Sequence, residues 1–190
     1  MIPARSSPGG LTGRSFCAAL VLILGWIVGT PAAWGQVSRE YEIKAAYLYN
    51  FGRYFEYPAA SFGDAKAPFV ISVIGTTSVD EYLTAAARTK TLQNRTIVFR
   101  RHERVEDIAP CHVLFVSEKL DDKLESQIYA KFANSAVVLV GEGDGAIGRG
   151  ATVSFVVADN KVRLKISQKA AQRAGLKPSS KLLQVSDLVE

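Results

Sequence analysis

The sequence predicts an α/β fold, a three-layer sandwich with a mostly parallel central sheet and an antiparallel hairpin at its C-terminal end. Short apolar runs rich in β-branched residues alternate with segments of helical pattern. Near-continuous apolar runs are typical of parallel strands that are covered on both faces. Towards the C-terminus, two further runs flank Ala158–Lys161, in which Asp159-Asn160 favours a hairpin turn.

The first element after the N-terminal region is a helix over 38–57. It is expected to begin with Ser38 as its N-cap and to stop at Pro58. Its apolar positions recur at helical spacing and form one stripe: Ile43, Tyr47, Phe51, Tyr54 and Phe55. We expect this stripe to face the core and the aromatic residues outside it to be available to a ligand or a partner.

The remaining elements follow from the same patterns. The predicted strands span 69–74, 96–100, 111–116, 136–140, 152–157 and 162–166. The predicted helices span 79–89, 121 or 122 to 132, and 168–174, with a short helix or turn over 105–108. Gly175 ends the helix that precedes it. A last helical segment over 181–189 is expected to be capped by Ser179 or Ser180.

The first 35 residues have the pattern of a secretory signal peptide. Arg5 and Arg14 precede an apolar run of 13 residues, Phe16–Val28, and small residues follow up to Gly35. Such a run is short for a membrane span, which needs about 20 residues. We therefore expect cleavage after Gly35, a single domain over 36–190 and a periplasmic location, with an uncleaved membrane anchor as the alternative.

The charge and the cysteine content argue against two features, nucleic-acid binding and an internal disulfide. After residue 35 the chain has 21 basic and 18 acidic residues, a net charge of +3. This mild basicity argues against a dedicated nucleic-acid binder. Cys17 lies in the predicted leader, so Cys111 remains alone in the mature chain and no internal disulfide can form.

Catalytic machinery is not expected. The sequence contains no G-x-S-x-G elbow, no S-x-x-K, no H-E-x-x-H and no P-loop motif. Cys111 and His112 are neighbours in a predicted strand, so their side chains point to opposite faces of the sheet and cannot act as a pair. Two histidines and one cysteine are few for a zinc site. We predict no enzyme activity, no cofactor and no metal; a Cys111-dependent hydrolase is the alternative.

Gly141–Ala146 matches the pattern G-x-G-x-x-A directly after a predicted strand. A dinucleotide site needs a helix next, whose N-terminus receives the pyrophosphate. A further strand is predicted from Thr152, and Glu142 and Asp144 would repel phosphate. We interpret the segment as a loop in which glycine supplies positive φ.

A candidate ligand site lies where predicted strands end. The turn Gly75-Thr76-Thr77-Ser78 follows one strand and opens a helix, and Ser117 follows another strand. Ligands of open α/β sheets bind at the carboxyl ends of the strands, and free N–H groups and hydroxyls there can hold an anion. We therefore predict ligand-binding residues Thr76, Thr77, Ser78 and Ser117, with simple capping and turn chemistry as the alternative.

Several of these segments together resemble the YfiR/HmsC-like family of exported bacterial proteins over residues 41–189. The resemblance is carried by an opening helix, a central strand and a C-terminal signature: Lys44–Phe51, Cys111–Ser117, Asn160–Ile166, Ala170–Lys177 and Ser179–Leu183. The chain departs from the family pattern at Tyr57, Ser154 and Ser167 and in keeping only Cys111 after the predicted leader, so that no internal disulfide can form.

The resemblance implies a regulatory function. It implies that the protein binds the periplasmic sensor domain of an inner-membrane diguanylate cyclase and represses it, which lowers cyclic di-GMP and biofilm formation. A homodimer and a small ligand are further partners that it allows. We take the aromatic first helix as the candidate partner contact, with Tyr49, Arg53 and Tyr57 as its positions outside the core. The alternative is a periplasmic small-molecule sensor or binding module.

Overall fold

The computed structural model describes residues 32–189, with side chains from residue 39 onwards. Residues 36–190 form one compact unit, which contains the fold described below. Most of the predicted leader, and with it the apolar run, lies outside the described residues. Cleavage after Gly35 therefore stays a prediction.

The strands fall into one large sheet and one short pair. They are β1 Phe55–Glu56, β2 Phe69–Ile74, β3 Thr91–Leu92, β4 Arg95–His102, β5 Val113–Val116, β6 Val138–Glu142, β7 Val153–Ala158, β8 Lys161–Ser167, β9 Lys177–Pro178 and β10 Ser186–Val189. The helices are α1 Ala32–Tyr54, α2 Val79–Thr89, α3 Asp122–Phe132, α4 Ala146–Arg149, α5 Gln168–Arg173 and α6 Ser180–Gln184. Short 3₁₀ turns span Ala59–Ser61 and Val105–Asp107.

The large sheet has eight strands in the order β10-β8-β7-β6-β5-β2-β4-β3, and β1 pairs with β9 separately. Strands β4, β2, β5, β6 and β7 pair in parallel. Strand β8 runs antiparallel to β7, and the turn between them places Asp159 and Asn160 at φ 51° and 59°. The predicted α/β class, with its mostly parallel sheet and C-terminal hairpin, is confirmed.

Helices cover both faces of the sheet. On one face, α1, α2, α5 and α6 enclose a core that includes Leu48, Phe51 and Phe155. On the other face, α3 and α4 enclose a second core that includes Ile128 and Tyr129. Each fully buried side chain of this size contributes about 1.5–3 kcal/mol. Among residues 32–189, no helix combines the length and the apolar character that crossing a membrane requires.

The first helix differs from its prediction at both ends. It begins at Ala32, so Ser38 lies inside it and is not its N-cap. No proline between Ala32 and Ser38 interrupts the helical hydrogen bonds. The helix ends at Tyr54, before Pro58, because Phe55 and Glu56 pair with Pro178 and Lys177.

The C-terminal segment also differs from its prediction. The Ser179 hydroxyl accepts a hydrogen bond from the Leu182 N–H and caps α6, as expected. However, α6 ends at Gln184, and Ser186–Val189 forms β10 instead of helix. This strand pairs in parallel with β8, whose free edge satisfies its backbone groups. A short helix, α4, also follows the glycine segment where only a loop was predicted.

Candidate functional site

The predicted ligand-binding residues meet at the carboxyl edge of the sheet. The Ser117 hydroxyl donates to the Thr76 carbonyl at 2.7 Å, and the Ser117 N–H donates to the Ile74 carbonyl at 3.1 Å. Gly75 has φ +91°, and a Cβ there would lie 3.0 Å from the Ser117 Cβ. Glycine is therefore required for β2 and β5 to end so close together.

The other two residues of the prediction open α2. The Thr77 hydroxyl accepts a hydrogen bond from the Val79 N–H at 3.4 Å, and Ser78 is exposed without capping the helix through its side chain. Asp80 and Glu81 lie in the first turn, and Asp80 pairs with Arg101. These carboxylates offset the positive end of the helix dipole. The edge thus suits a neutral or cationic group better than the anion that the turn predicts.

A buried ion pair lies at the same edge and was not predicted. Lys44 Nζ lies 2.6 Å from Glu142 Oε1, and Glu40 is its second anionic partner. The other oxygen of Glu142 accepts from the Glu118 N–H at 3.1 Å. Burial alone would lower the pKa of Lys44, but the attraction and hydrogen bonds of Glu142 and Glu40 raise it. The ammonium therefore stays charged inside the protein.

A signal for this pair exists in the sequence. Glu142 follows the apolar run of β6, and a carboxylate at the end of a buried strand requires a cation or several donors. Lys44 lies among aromatic and apolar residues of α1. The two positions are 98 residues apart. The sequence around each one indicates a buried charge, but it does not indicate that the two charges are partners.

The predicted partner-binding residues lie along α1 and just after β1. Tyr49 is half-buried against the core, while Arg53, one turn later, is exposed and donates to the Thr91 carbonyl at 3.3 Å. Tyr57 is half-buried, and its hydroxyl donates to the His112 carbonyl at 3.4 Å. Burial raises the pKa of the Tyr57 phenol well above its usual range. Of the three, Arg53 is the side chain most open to a partner.

His112 is enclosed at the opposite, amino edge of the sheet. Its ring stacks between Phe62 and Phe69, with centroid distances of 4.4 and 5.1 Å. Nδ1 accepts from the Val70 N–H at 3.0 Å, so Nε2 carries the proton and donates to the Ser61 carbonyl at 3.1 Å. Burial lowers the pKa of His112, although its bond to Ser61 opposes this. The imidazole is therefore held neutral.

A cleft of about 470 Å³ opens beside His112. Its walls are mainly apolar and contain Pro58, Pro110, Phe132 and Val137. The hydroxyl oxygen of Ser61, which also lines the cleft, is buried without a hydrogen-bond partner. The cleft has the character of a site for a small, uncharged molecule.

The remaining chemical groups are poorly placed for catalysis. Cys111 and His112 both precede β5, which begins at Val113 and not at Cys111 as predicted, and both line the cleft. Cys111 nevertheless packs in the core beneath α3, whereas His112 stacks on Phe69 across the sheet, so the two side chains point apart. Burial raises the pKa of the Cys111 thiol to about 11. Ser72 meets His102 Nε2 at 3.1 Å, but both side chains are buried. Within the described part of the chain, no three His, Cys, Asp or Glu side chains are grouped to hold a metal.

Comparison with known proteins gives one relationship. A family model described as YfiR/HmsC-like matches residues 41–187. None of the curated proteins compared with the chain matches it. The family is known for the periplasmic regulation of diguanylate cyclases. Since the match covers most of the chain, from the middle of α1 into β10, the chain belongs to the YfiR/HmsC-like family.

Proposed function

We propose that the protein is a non-catalytic periplasmic regulator that binds and represses an inner-membrane diguanylate cyclase. The observation that carries this proposal is the family match over residues 41–187. The leader pattern of residues 1–35 supports export and cleavage. Repression lowers cyclic di-GMP and, with it, biofilm formation.

The state of the nucleophiles supports a non-catalytic role. A thiol with a pKa of about 11 is almost entirely protonated at neutral pH, and the thiolate is the reactive form. The neighbouring histidine, His112, is held by the Val70 N–H and the Ser61 carbonyl and stacks on Phe69 across the sheet. The protein therefore acts by binding.

Binding changes a partner's activity only through different affinities for the partner's states. The regulator binds the inactive state of the cyclase's periplasmic sensor domain more tightly and shifts the equilibrium towards it. We place this contact at Tyr49, Arg53 and Tyr57, where α1 and the residues after β1 meet solvent. Arg53 carries the exposed charge of this surface.

The first experiment measures cyclic di-GMP in a deletion strain. The strain is complemented with the full gene or with a copy that lacks residues 2–35. Deletion should raise cyclic di-GMP, and only the copy with the leader should restore the low level. An unchanged level after deletion, under several growth conditions, would argue against control of a cyclase.

A second experiment tests the contact surface. Arg53→Glu should abolish repression while the thermal midpoint stays within a few degrees, because Arg53 is exposed and makes one long hydrogen bond. Arg88→Glu on α2 is the matched control, since Arg88 is exposed and forms no ion pair within the described residues. Equal repression by both variants would place the contact elsewhere.

The second candidate function is that of a small-molecule sensor or binding module, which the cleft beside His112 favours. A ligand should raise the thermal midpoint saturably. Ala60→Trp at the exposed rim should remove the shift if the ligand occupies the cleft. Ser117→Ala should remove it if the ligand binds instead at Thr76, Thr77, Ser78 and Ser117.

A further inference from the structure

The positive charge of the fold is concentrated in its last 30 residues. Residues 36–160 contain 14 basic and 16 acidic residues, a net charge of −2. Residues 161–190 contain 7 basic and 2 acidic residues, a net charge of +5. All seven basic residues lie between Lys161 and Lys181, a stretch that contains no acidic residue. The small net charge of the whole fold is therefore the sum of a slightly acidic larger part and a strongly basic C-terminal part.

Four of these cations are exposed on three elements that follow one another along the chain, α5, β9 and α6. We term them the C-terminal basic surface: Lys169, Arg173, Lys177 and Lys181. Lys169 and Arg173 are four residues apart on α5 and therefore share a side of the helix. Helices α5 and α6 flank a cleft of about 580 Å³, which Lys177 also lines.

These charges are largely uncompensated. In the part of the chain that the structure describes, Lys169, Arg173 and Lys181 have no acidic partner within ion-pair distance. Lys177 lies 3.5 Å from Glu56, and both side chains are at least 70 % exposed. Exposed pairs of this kind offset little of the charge, because water screens them.

Exposed aliphatic side chains adjoin the basic surface. Val185 is 62 % exposed and Leu188 is 54 % exposed, which is unusual for large apolar residues in this fold. Val185 comes directly after α6, four residues after Lys181. Leu188 follows on β10, the edge strand of the sheet. Exposed aliphatic side chains thus follow the last of the four cations within a few residues of the chain.

We propose that the C-terminal basic surface binds anionic phospholipids at the membrane surface. Exposed Lys and Arg side chains are attracted to acidic headgroups, and aliphatic side chains beside them enter the headgroup region. Three of the four cations are lysines, whose point charges on flexible stems suit a diffuse negative surface better than the fixed carboxylates of an acidic protein. The inference rests on the proposed function, which places the protein beside an inner-membrane partner.

The test measures co-flotation with vesicles, using the protein as isolated after expression with its own leader. Vesicles of phosphatidylcholine alone are compared with vesicles that contain about one third phosphatidylglycerol. Lys169→Gln/Arg173→Gln/Lys181→Gln should weaken binding to the anionic vesicles about fivefold per charge removed, or roughly a hundredfold in total. Raised salt should weaken wild-type binding in the same way.

The matched control is Arg88→Gln/Lys90→Gln/Lys123→Gln, which removes the same net charge from exposed residues of the acidic part. It should keep wild-type binding. Equal binding by the two triple variants, or equal wild-type binding to both kinds of vesicle, would overturn the proposal.

Two further results separate this proposal from the proposed function. Val185→Ser/Leu188→Ser should remove the part of binding that resists salt, because that part comes from aliphatic insertion. If instead the basic-surface variant binds anionic vesicles normally but loses repression of cyclic di-GMP, an acidic protein surface is the partner and the lipid proposal is wrong. The vesicle measurement contains no cyclase, so its result tests lipid binding independently of whether the protein controls a cyclase.

Discussion

The Lys44 ammonium of α1 lies 2.6 Å from the Glu142 carboxylate at the end of β6, and each side chain is only 4 % exposed. The pair fastens α1 to the carboxyl edge of the sheet. Glu142 also accepts from the Glu118 N–H, so the loop after β5 is held by the same group. Because water reaches neither charge, each depends on the other for its solvation.

Removing the cation should cost more than removing the anion. Lys44→Met leaves Glu142 buried without a cation and should lower the free energy of unfolding by about 3–5 kcal/mol. Glu142→Gln leaves Lys44 with Glu40 and should cost clearly less. Urea denaturation of both variants measures the difference. Equal losses would mean that Glu40 contributes nothing once Glu142 is gone.

Gly141 is required by the packing of α3 on β6. A Cβ at this position would overlap the Tyr129 hydroxyl and lie 2.7 Å from the Ala146 Cβ. The Tyr129 hydroxyl in turn donates to Glu125 at 2.5 Å, and Glu125 is paired with Arg149 at 2.6 Å. Gly141→Ala should therefore displace a buried polar network and lower the free energy of unfolding by about 2–4 kcal/mol.

Gly148 provides the control for that substitution. It lies in α4, and a Cβ there meets no heavy atom within 4 Å. Gly148→Ala should leave stability unchanged or raise it by up to about 1 kcal/mol, since alanine restricts the unfolded chain. Similar losses from both alanines would show that the effect is not steric overlap at Gly141.

The Cys111 thiol should react slowly in the folded protein. Its pKa of about 11, against an ordinary value of 9.0, lowers the thiolate fraction near pH 8 about a hundredfold. Alkylation by iodoacetamide, followed by mass spectrometry, should therefore be at least about a hundredfold slower in the native protein than in urea. Rapid native alkylation would contradict the burial of the thiol and reopen the alternative of a Cys111-dependent hydrolase.

The sequence pattern was most informative where structure is determined locally. Strand β2 and helix α2 have the predicted bounds, because a continuous apolar run and an amphipathic stripe each specify one element. Strand β10 was predicted as helix, because only the free edge of β8 makes it a strand. Local propensity contains no information about that edge.

In the candidate site, too, some contacts could be predicted from the sequence and others could not. Thr76 and Ser117 could be placed together because the ends of adjacent parallel strands meet at one edge. The contact of Lys44 with Glu142 spans 98 residues and depends on how α1 crosses the sheet, which no local pattern specifies. The basic surface needed only a count of charge by segment, since its residues are close in sequence.

Cleavage of the leader has a simple spectroscopic consequence. Both tryptophans, Trp26 and Trp34, precede the expected cleavage site after Gly35. Protein recovered from the periplasm should therefore show tyrosine but no tryptophan fluorescence, and its mass should correspond to residues 36–190. Tryptophan emission from correctly folded protein would show that the leader is retained as an anchor.

His112 should make the fold sensitive to mild acid. Burial lowers the pKa of His112 below the value of about 6.5 that it has in an unfolded chain. A group with a lowered folded pKa stabilises the fold above its unfolded pKa, and that contribution is lost as the pH falls through the folded pKa. His102 is shifted in the same direction, mainly by burial, so the wild type alone cannot separate the two.

His112→Gln separates them. At pH 7.5 the variant should be less stable than the wild type by about 1–3 kcal/mol, because it loses the stacking on Phe62 and Phe69 and the paired hydrogen bonds. As the pH falls towards 5, His112 takes up a proton in the unfolded wild-type chain more readily than in the folded one. This stabilises the unfolded wild type, whereas the variant lacks that group and does not lose stability in this way. The stability difference, measured by urea denaturation at each pH, should therefore shrink. A constant difference would mean that His112 binds its proton equally well in the folded and unfolded chain, in which case its enclosed position would not hold it neutral.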